Sequence, residues 1–181
     1  LLFCVYFVSV DKKIEELEVN RAPMNISRET IEFIVNSVLF EDVKVLEIGT
    51  FNGYSALWFS TIASRVLGID ISGTNVEEAR KNLEGTDVEI VLGNALDIVP
   101  KLEEKFNVVL IDAQKNEYGS YLEVVLDKLE DDFLIFVDNT ISHGGKITSL
   151  FEVLKKHSEL EWKEMGIGKG LIVIKNKSKF Q

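Results

Sequence analysis

The segment VLEIGTFNGYS, residues 45–55, sets the carboxylate of Glu47 between an apolar run and a turn built on Gly49 and Gly53. A charge so close to a buried strand is costly unless a partner answers it. The two glycines permit a tight turn and let a ligand approach the backbone closely. Asp70, in VLGID, follows Gly49 by 21 positions, the separation at which an acid accepts hydrogen bonds from a ribose. Nicotinamide dinucleotides and S-adenosylmethionine are both held by that device. The spacing here is Glu-x-Gly-x-x-x-Gly, without the Gly-x-Gly-x-x-Gly that brings backbone amides against a pyrophosphate. S-Adenosylmethionine has no phosphate to cradle, and its amino and sulfonium groups are positive, which gives Glu47 a reason to be there. The plainer alternative, a strand-to-helix turn with a solvated Glu, has no use for Asp70.

A second constellation comprises Asp112, Asp138 and Asn139, with Lys115 three residues beyond Asp112. If the strands that end at Asp112 and Asp138 are neighbours, their backbones lie about 4.8 Å apart and their terminal side chains can converge on one ion. Two carboxylates and an amide oxygen form a hard oxygen set, suited to Mg²⁺ or a similar cation. Zinc is disfavoured, because neither Cys nor a His pair accompanies them. Residue type alone accounts equally well for Asp112 as a strand cap and Asp138-Asn139 as an ordinary loop pair. Lys115 likewise reads either as a proton acceptor or as a solvated lysine opening a helix.

These residues need elements that bring them together. Short apolar runs, VKVLEIG, RVLGID, VEIVLG, FNVVLID, FLIFVD, LEWKEMG and GLIVIK, alternate with amphipathic stretches such as NVEEARKNLEG, YGSYLEVVLDKLE and KITSLFEVLKKHS. Alternation of this kind, with near-continuous Val, Ile and Leu in the runs, predicts a parallel sheet covered on both faces. Only the last two runs lack a helix between them, so they pair as a hairpin. The expected fold is α/β: a Rossmann-like, doubly wound, mostly parallel seven-stranded sheet with a C-terminal antiparallel hairpin strand. In such sheets ligands sit outside the carboxyl ends of the strands. The residues there are Glu47 and Gly49, then Asp70, then Asn94, then Asp112, then Asp138 and Asn139. SRETIEFIVNSVL reads as a further helix, with Ser27 as its cap.

The chain of 181 residues carries 20 Lys and Arg against 30 Asp and Glu, a formal charge of −10 that opposes general attraction to nucleic acid or to anionic membranes. It is 46% hydrophobic and 28% charged, with 12 Gly and 2 Pro, the composition of a compact globular protein. A single Cys excludes an internal disulfide, so a reducing, cytoplasmic setting is expected. No linker or repeat divides the chain, and one domain over residues 1–181 is expected, with residues 1–20 as an N-terminal arm. The opening LLFCVYFVSV is too short to span a bilayer as a helix and lacks a secretory leader pattern. It is expected to pack on the domain or on a partner.

VLEIGTFNGYSAL, VLGID, FNVVLIDAQKNEY, LIFVDN and GIGKGLIVIK together resemble the cation-dependent O-methyltransferases related to catechol and caffeoyl-CoA O-methyltransferases, over residues 21–175. The resemblance implies an S-adenosylmethionine-dependent O-methyltransferase. In it Glu47, Gly49, Gly53, Asp70 and Asp112 border the cofactor, and Asn94 and Ala95 lie near its adenine. APMN resembles a family stretch whose methionine covers the cofactor, which nominates Met24. It further implies that Asp112, Asp138 and Asn139 hold Mg²⁺ or another divalent cation and that Lys115 is the catalytic base. The expected partner is a small hydroxylated acceptor, catechol-like or with vicinal oxygens, and a homodimer is left open. Two departures stand out: LEDDF replaces a Pro-Gly turn before the fifth strand, and TISHGGK brings in His143, expected to be solvated. Methylation of a tRNA nucleoside hydroxyl, and a non-catalytic S-adenosylmethionine-binding module, are the competing readings.

Overall fold

The computed structural model describes residues 2–177, with side chains from residue 10 onward, so the expected packing of most of the opening apolar segment lies outside the described residues. Seven strands form one sheet: β1 (Lys44–Ile48), β2 (Arg65–Asp70), β3 (Glu89–Leu92), β4 (Phe106–Ile111), β5 (Leu129–Asp138), β6 (Leu160–Met165) and β7 (Leu171–Asn176). Their spatial order is β3-β2-β1-β4-β5-β7-β6. The first five run parallel, and β7 pairs antiparallel with both β5 and β6. The order reverses between β1 and β4, and a crevice opens there at the carboxyl ends.

The helices are α1 (Leu2–Val19), α2 (Arg28–Ser37), α3 (Tyr54–Phe59), α4 (Gly73–Asn82), α5 (Ala95–Ile98), α6 (Tyr118–Leu126) and α7 (Thr148–Lys156). Strand residues alternate between two cores. Leu46, Ile48, Val109 and Ile111 join α6 and α7 on one face, while Val45, Val108, Leu110 and Phe136 join α2, α3 and α4 on the other. All six β4 side chains are buried, as a strand covered on both sides requires. Each fully buried aliphatic side chain contributes about 1.5–3 kcal/mol, which fixes the strand ends that carry the polar residues. Ser27 caps α2, accepting from the Thr30 amide at 3.1 Å, as its sequence context predicts.

The arm expected over residues 1–20 is helical: α1 runs unbroken over Leu2–Val19 and buries Val10 and Ile14 against the second core. One expectation shifts. LEDDF is not a loop but part of β5, accommodated by a register shift opposite Phe106 and Val108. α3 stops at Phe59. Ser60 and Thr61 there turn their hydroxyls onto the carbonyls of Leu57 and Trp58, both at 2.7 Å, a local alternative to helix continuation. Among the described residues no helix is long and apolar enough to cross a membrane.

Candidate active site

The crevice between β1 and β4 is a cavity of about 450 Å³, within the range of small-molecule sites. The turn after β1 forms its floor. Gly49 has φ 90°, and a methyl group there would stand 2.2 Å from the carbonyl oxygen of Asp112. Its missing side chain therefore serves first to seat β1 against the end of β4, where the Asp112 amide donates to Ile48 at 3.0 Å. Gly53, at φ 83°, lies outside the cavity lining. A methyl group on it would meet Leu83 Cδ1 at 2.9 Å, so its role is to let α3 and α4 pack closely.

Glu47 does not line the cavity either. It is fully buried one layer below, where Oε1 accepts from Ser55 Oγ and Oε2 has no partner. Burial, reinforced by the charges of Asp112 and Asp70, pushes its carboxyl up to about 8. Ser55 does line the cavity and stands between Glu47 and the ligand space. With Oε2 partnerless, a charge on Glu47 has no cation to answer it within the protein.

Asp70 closes β2 and faces the cavity. Its carboxylate accepts from the amides of Phe51 and Ser72, both at 2.9 Å, and from Asn75 Nδ2 at 3.1 Å. These bonds hold the β1 turn, with Phe51 at φ 48°, against the start of α4. Asn94 and Ala95 line the next stretch of wall, Asn94 capping α5 by accepting from the Leu96 amide at 2.9 Å. Ile71 is 64% exposed beside them, an apolar surface suited to a base. Met24, 70% exposed, stands at the rim on the other side.

At the β4 and β5 ends the structure gathers Asp112, Lys115, Asp138 and Asn139. Lys115 Nζ lies 2.7 Å from Asp112 Oδ1. Asn139, at φ 65°, donates through Nδ2 to Asp112 Oδ1 and Asp138 Oδ2, both at 2.8 Å. Asp138 is buried, its Oδ1 has no partner, and desolvation followed by repulsion from Asp112 pushes its carboxyl up to about 7. Tyr118 adds a bond from its hydroxyl to the Asp138 carbonyl at 3.0 Å. Among the described residues no three His, Cys, Asp or Glu side chains come together, since the third member of this set is an amide. The set nonetheless fits a hard divalent cation. It holds two crowded carboxylates and a partnerless buried oxygen, and the Asn139 amide turned over would present its carbonyl oxygen.

Several lining residues escape the reading of strand ends: Asn25, Ser55, Asn75, Tyr121, His143 and Lys169. For Ser55 the signal is its position, the second residue after Gly53 at the start of the helix that leaves the cavity floor. His143, expected to be solvated, lines the cavity and bonds Ser142 Oγ through Nδ1 at 2.8 Å. Lys169 arrives on the turn between β6 and β7, and nothing local in GIGKG signals that this turn reaches the same rim.

A doubly wound sheet with an acid under its first turn, an acid after β2 and paired carboxylates after β4 and β5 gathers polar groups from four strand ends at one crevice. Comparison with known proteins gives the family. The model of the O-methyltransferase family matches residues 9–167, and the chain belongs to that family. It is 36% identical over 110 residues to the catechol O-methyltransferase of Mycobacterium tuberculosis, covering 56% of this chain and 50% of that protein. The chain thus spans about half the length of the named relative it matches. Its fold is shared with an O-methyltransferase from Bacillus cereus solved with S-adenosylhomocysteine (TM-score 0.78, 22% identity, 92% of this chain and 91% of that one). It is also shared with TomG of Streptomyces achromogenes solved with S-adenosylmethionine (TM-score 0.78, 22% identity, 96% and 95%).

Proposed function

We propose that the protein is an S-adenosylmethionine-dependent O-methyltransferase that methylates one hydroxyl of a small acceptor bearing vicinal oxygens, with help from a divalent cation. When bound, the cofactor supplies a methyl group on a sulfonium, and Mg²⁺ held by Asp112, Asp138 and Asn139 supplies a Lewis acid for the acceptor oxygen. The residues of the chain do the rest. Asp70 accepts the ribose hydroxyls, Ile71 and Ala95 flank the base, and Ser55 with ionised Glu47 behind it receives the amino group. Lys115 takes the acceptor proton at Nζ, and its contact with Asp112 sets where the amine waits. Methyl transfer is an in-line displacement, so alignment of the oxygen behind the methyl carbon governs the rate. Met24 at the rim helps to exclude water from that path.

The observation that carries this reading is the convergence, in one cavity, of Asp70 on the cofactor side with Asp112, Lys115 and Asn139 on the other. Its support is the match to the O-methyltransferase family over most of the chain. The test is transfer of a labelled methyl group from S-adenosylmethionine to catechol, with Mg²⁺ and with a chelator. Transfer that needs Mg²⁺ is expected. Equal transfer under chelation removes the metal from the reading, and absence of cofactor binding removes the whole of it.

A further inference from the structure

Lys169 is the side chain between two glycines that the packing demands. A methyl group on Gly168 (φ 56°) would lie 2.3 Å from Thr30 Oγ1, and one on Gly170 (φ 97°) would lie 2.4 Å from the Ile141 amide nitrogen. The turn between β6 and β7 is thus wedged between α2 and the loop that follows Asn139. Backbone bonds pin it there: Thr140 donates to the Gly170 carbonyl at 3.1 Å, and Ile141 and Ser142 donate to that of Lys169 at 3.1 and 3.0 Å. A residue held so firmly presents its side chain from a fixed base.

Beside it a side cavity of about 150 Å³ adjoins the main one, the two sharing Pro23, Asn25, Asn139 and Lys169 as walls. The Lys169 ammonium donates only to the Pro23 carbonyl, at 3.3 Å, and among the described residues no carboxylate lies within 4.0 Å of it. Asp138 borders the same cavity and is the competing use of that charge, but the two do not form an ion pair. Arg21 borders it too, and Glu18 answers its charge at 3.3 Å. Asn25 is 7% exposed, and its Nδ2 has no hydrogen-bond partner. A buried donor left without a partner is costly, and the ammonium of the exposed Lys169, beside the cavity and without a carboxylate partner, attracts an anion.

We infer that the side cavity takes a carboxylate carried by the acceptor, with Lys169 Nζ as its counter-charge and Asn25 Nδ2 as a hydrogen-bond donor. The inference rests on the proposed function in placing the acceptor beside Asp112 and Asn139, and it narrows the substrate class to vicinal diols bearing an acid group.

Calorimetric titration of 2,3- and 3,4-dihydroxybenzoate, and of uncharged catechol, into protein saturated with S-adenosylhomocysteine in Mg²⁺ buffer tests it. At least one acid is expected to bind tenfold or more tightly than catechol. That preference is expected to vanish in Lys169→Met and to persist in Lys169→Arg, which separates loss of charge from loss of fold. If neither acid outbinds catechol, or if the preference survives Lys169→Met, the inference is overturned. Methyl transfer in the same samples keeps the two readings apart. Methylation of catechol without an acid preference overturns only the side-cavity assignment, while an acid preference without methylation of any acceptor overturns only the proposed function.

Discussion

Ser55 Oγ donates to Glu47 Oε1, and of the two only Ser55 touches the ligand cavity. The acid acts from one layer below, with its second oxygen partnerless and its proton retained up to about pH 8. A cationic amino group arriving above Ser55 favours the ionised form, so binding releases a proton below that pH. Affinity for S-adenosylhomocysteine is expected to rise by up to about tenfold per pH unit from pH 6 to 8 and then level off. Calorimetry in buffers of different ionisation enthalpy reads the proton directly. In Glu47→Gln the slope should flatten; a slope equal to that of the parent protein would exclude Glu47 as its source.

The same group has a consequence for the ligand-free protein. Its carboxyl is raised from the ordinary 4.5 to about 8, so between those values the folded chain keeps a proton that the unfolded chain has released. Stability from Glu47 is therefore full below about pH 4.5 and is lost as the pH rises through 8. The melting temperature of Glu47→Gln, measured against the parent at pH 5 and at pH 8, should gain relative to it at the higher pH. An unchanged gap between the two proteins would mean that Glu47 is already ionised in the fold.

Gly49 and Gly73 make a controlled pair. Gly49→Ala puts a methyl group 2.2 Å from the Asp112 carbonyl at a left-handed backbone position, and is expected to destabilise by about 2–4 kcal/mol. Gly73, the first residue of α4, has nothing within 4 Å of the added carbon, and Gly73→Ala is expected to stabilise by a few tenths to about 1 kcal/mol. Urea midpoints decide the matter. Equal effects at the two sites would contradict the close seating of β1 on β4.

Asp70 holds the turn after β1, and in the proposed function it also accepts the ribose hydroxyls. Asp70→Asn keeps the size of the side chain but gives up acceptance at one oxygen, where Phe51 or the Ser72 and Asn75 donors now bond. Affinity for S-adenosylmethionine is expected to fall at least tenfold, together with a loss of about 1–3 kcal/mol of stability. Fluorescence titration and thermal melts measure the two separately. A drop in stability with no change in affinity would confine Asp70 to a structural role.

Lys115 and Asp112 offer a test with opposite signs. Lys115 Nζ, 2.7 Å from Asp112 Oδ1, competes with any cation for that carboxylate. Lys115→Met is expected to lower methyl transfer about 10²- to 10⁴-fold, the usual weight of a general base, while tightening Mn²⁺ or Mg²⁺ binding. Weaker metal binding in this variant would refute the competition.

Much of the fold is legible in the order of apolar runs, because buried parallel strands need unbroken Val, Ile and Leu and because each must be followed by a helix. Asp112, Lys115 and Asn139 are legible for the same reason: they sit just past such runs, at the end where the sheet opens. Distances across the crevice are not legible. Glu47 reads as a wall residue until the packing shows Ser55 in front of it, and Gly53 reads as a ligand contact until α4 is seen to need its space. The length of β5 is hidden because Glu130, Asp131 and Asp132 look like a loop, and only the pairing of Leu129 with Phe106 on their far side carries the strand across them. Lys169 is the hardest, since its place depends on two long-range closures, Gly168 on Thr30 and Gly170 on Ile141.

The antiparallel return of β7 beside β5 has an effect of another kind. In a purely parallel sheet every connection that reaches the open edge leaves it again through a helix. Here Leu171 pairs with Asp138, so a short reversal drops residues 166–170 onto that edge from the far end of the chain. The residues proposed to hold the methyl donor all come before residue 115, whereas this reversal comes some fifty positions later. If both proposals hold, exchanging one side chain at the tip would change the acceptor and leave the donor side untouched.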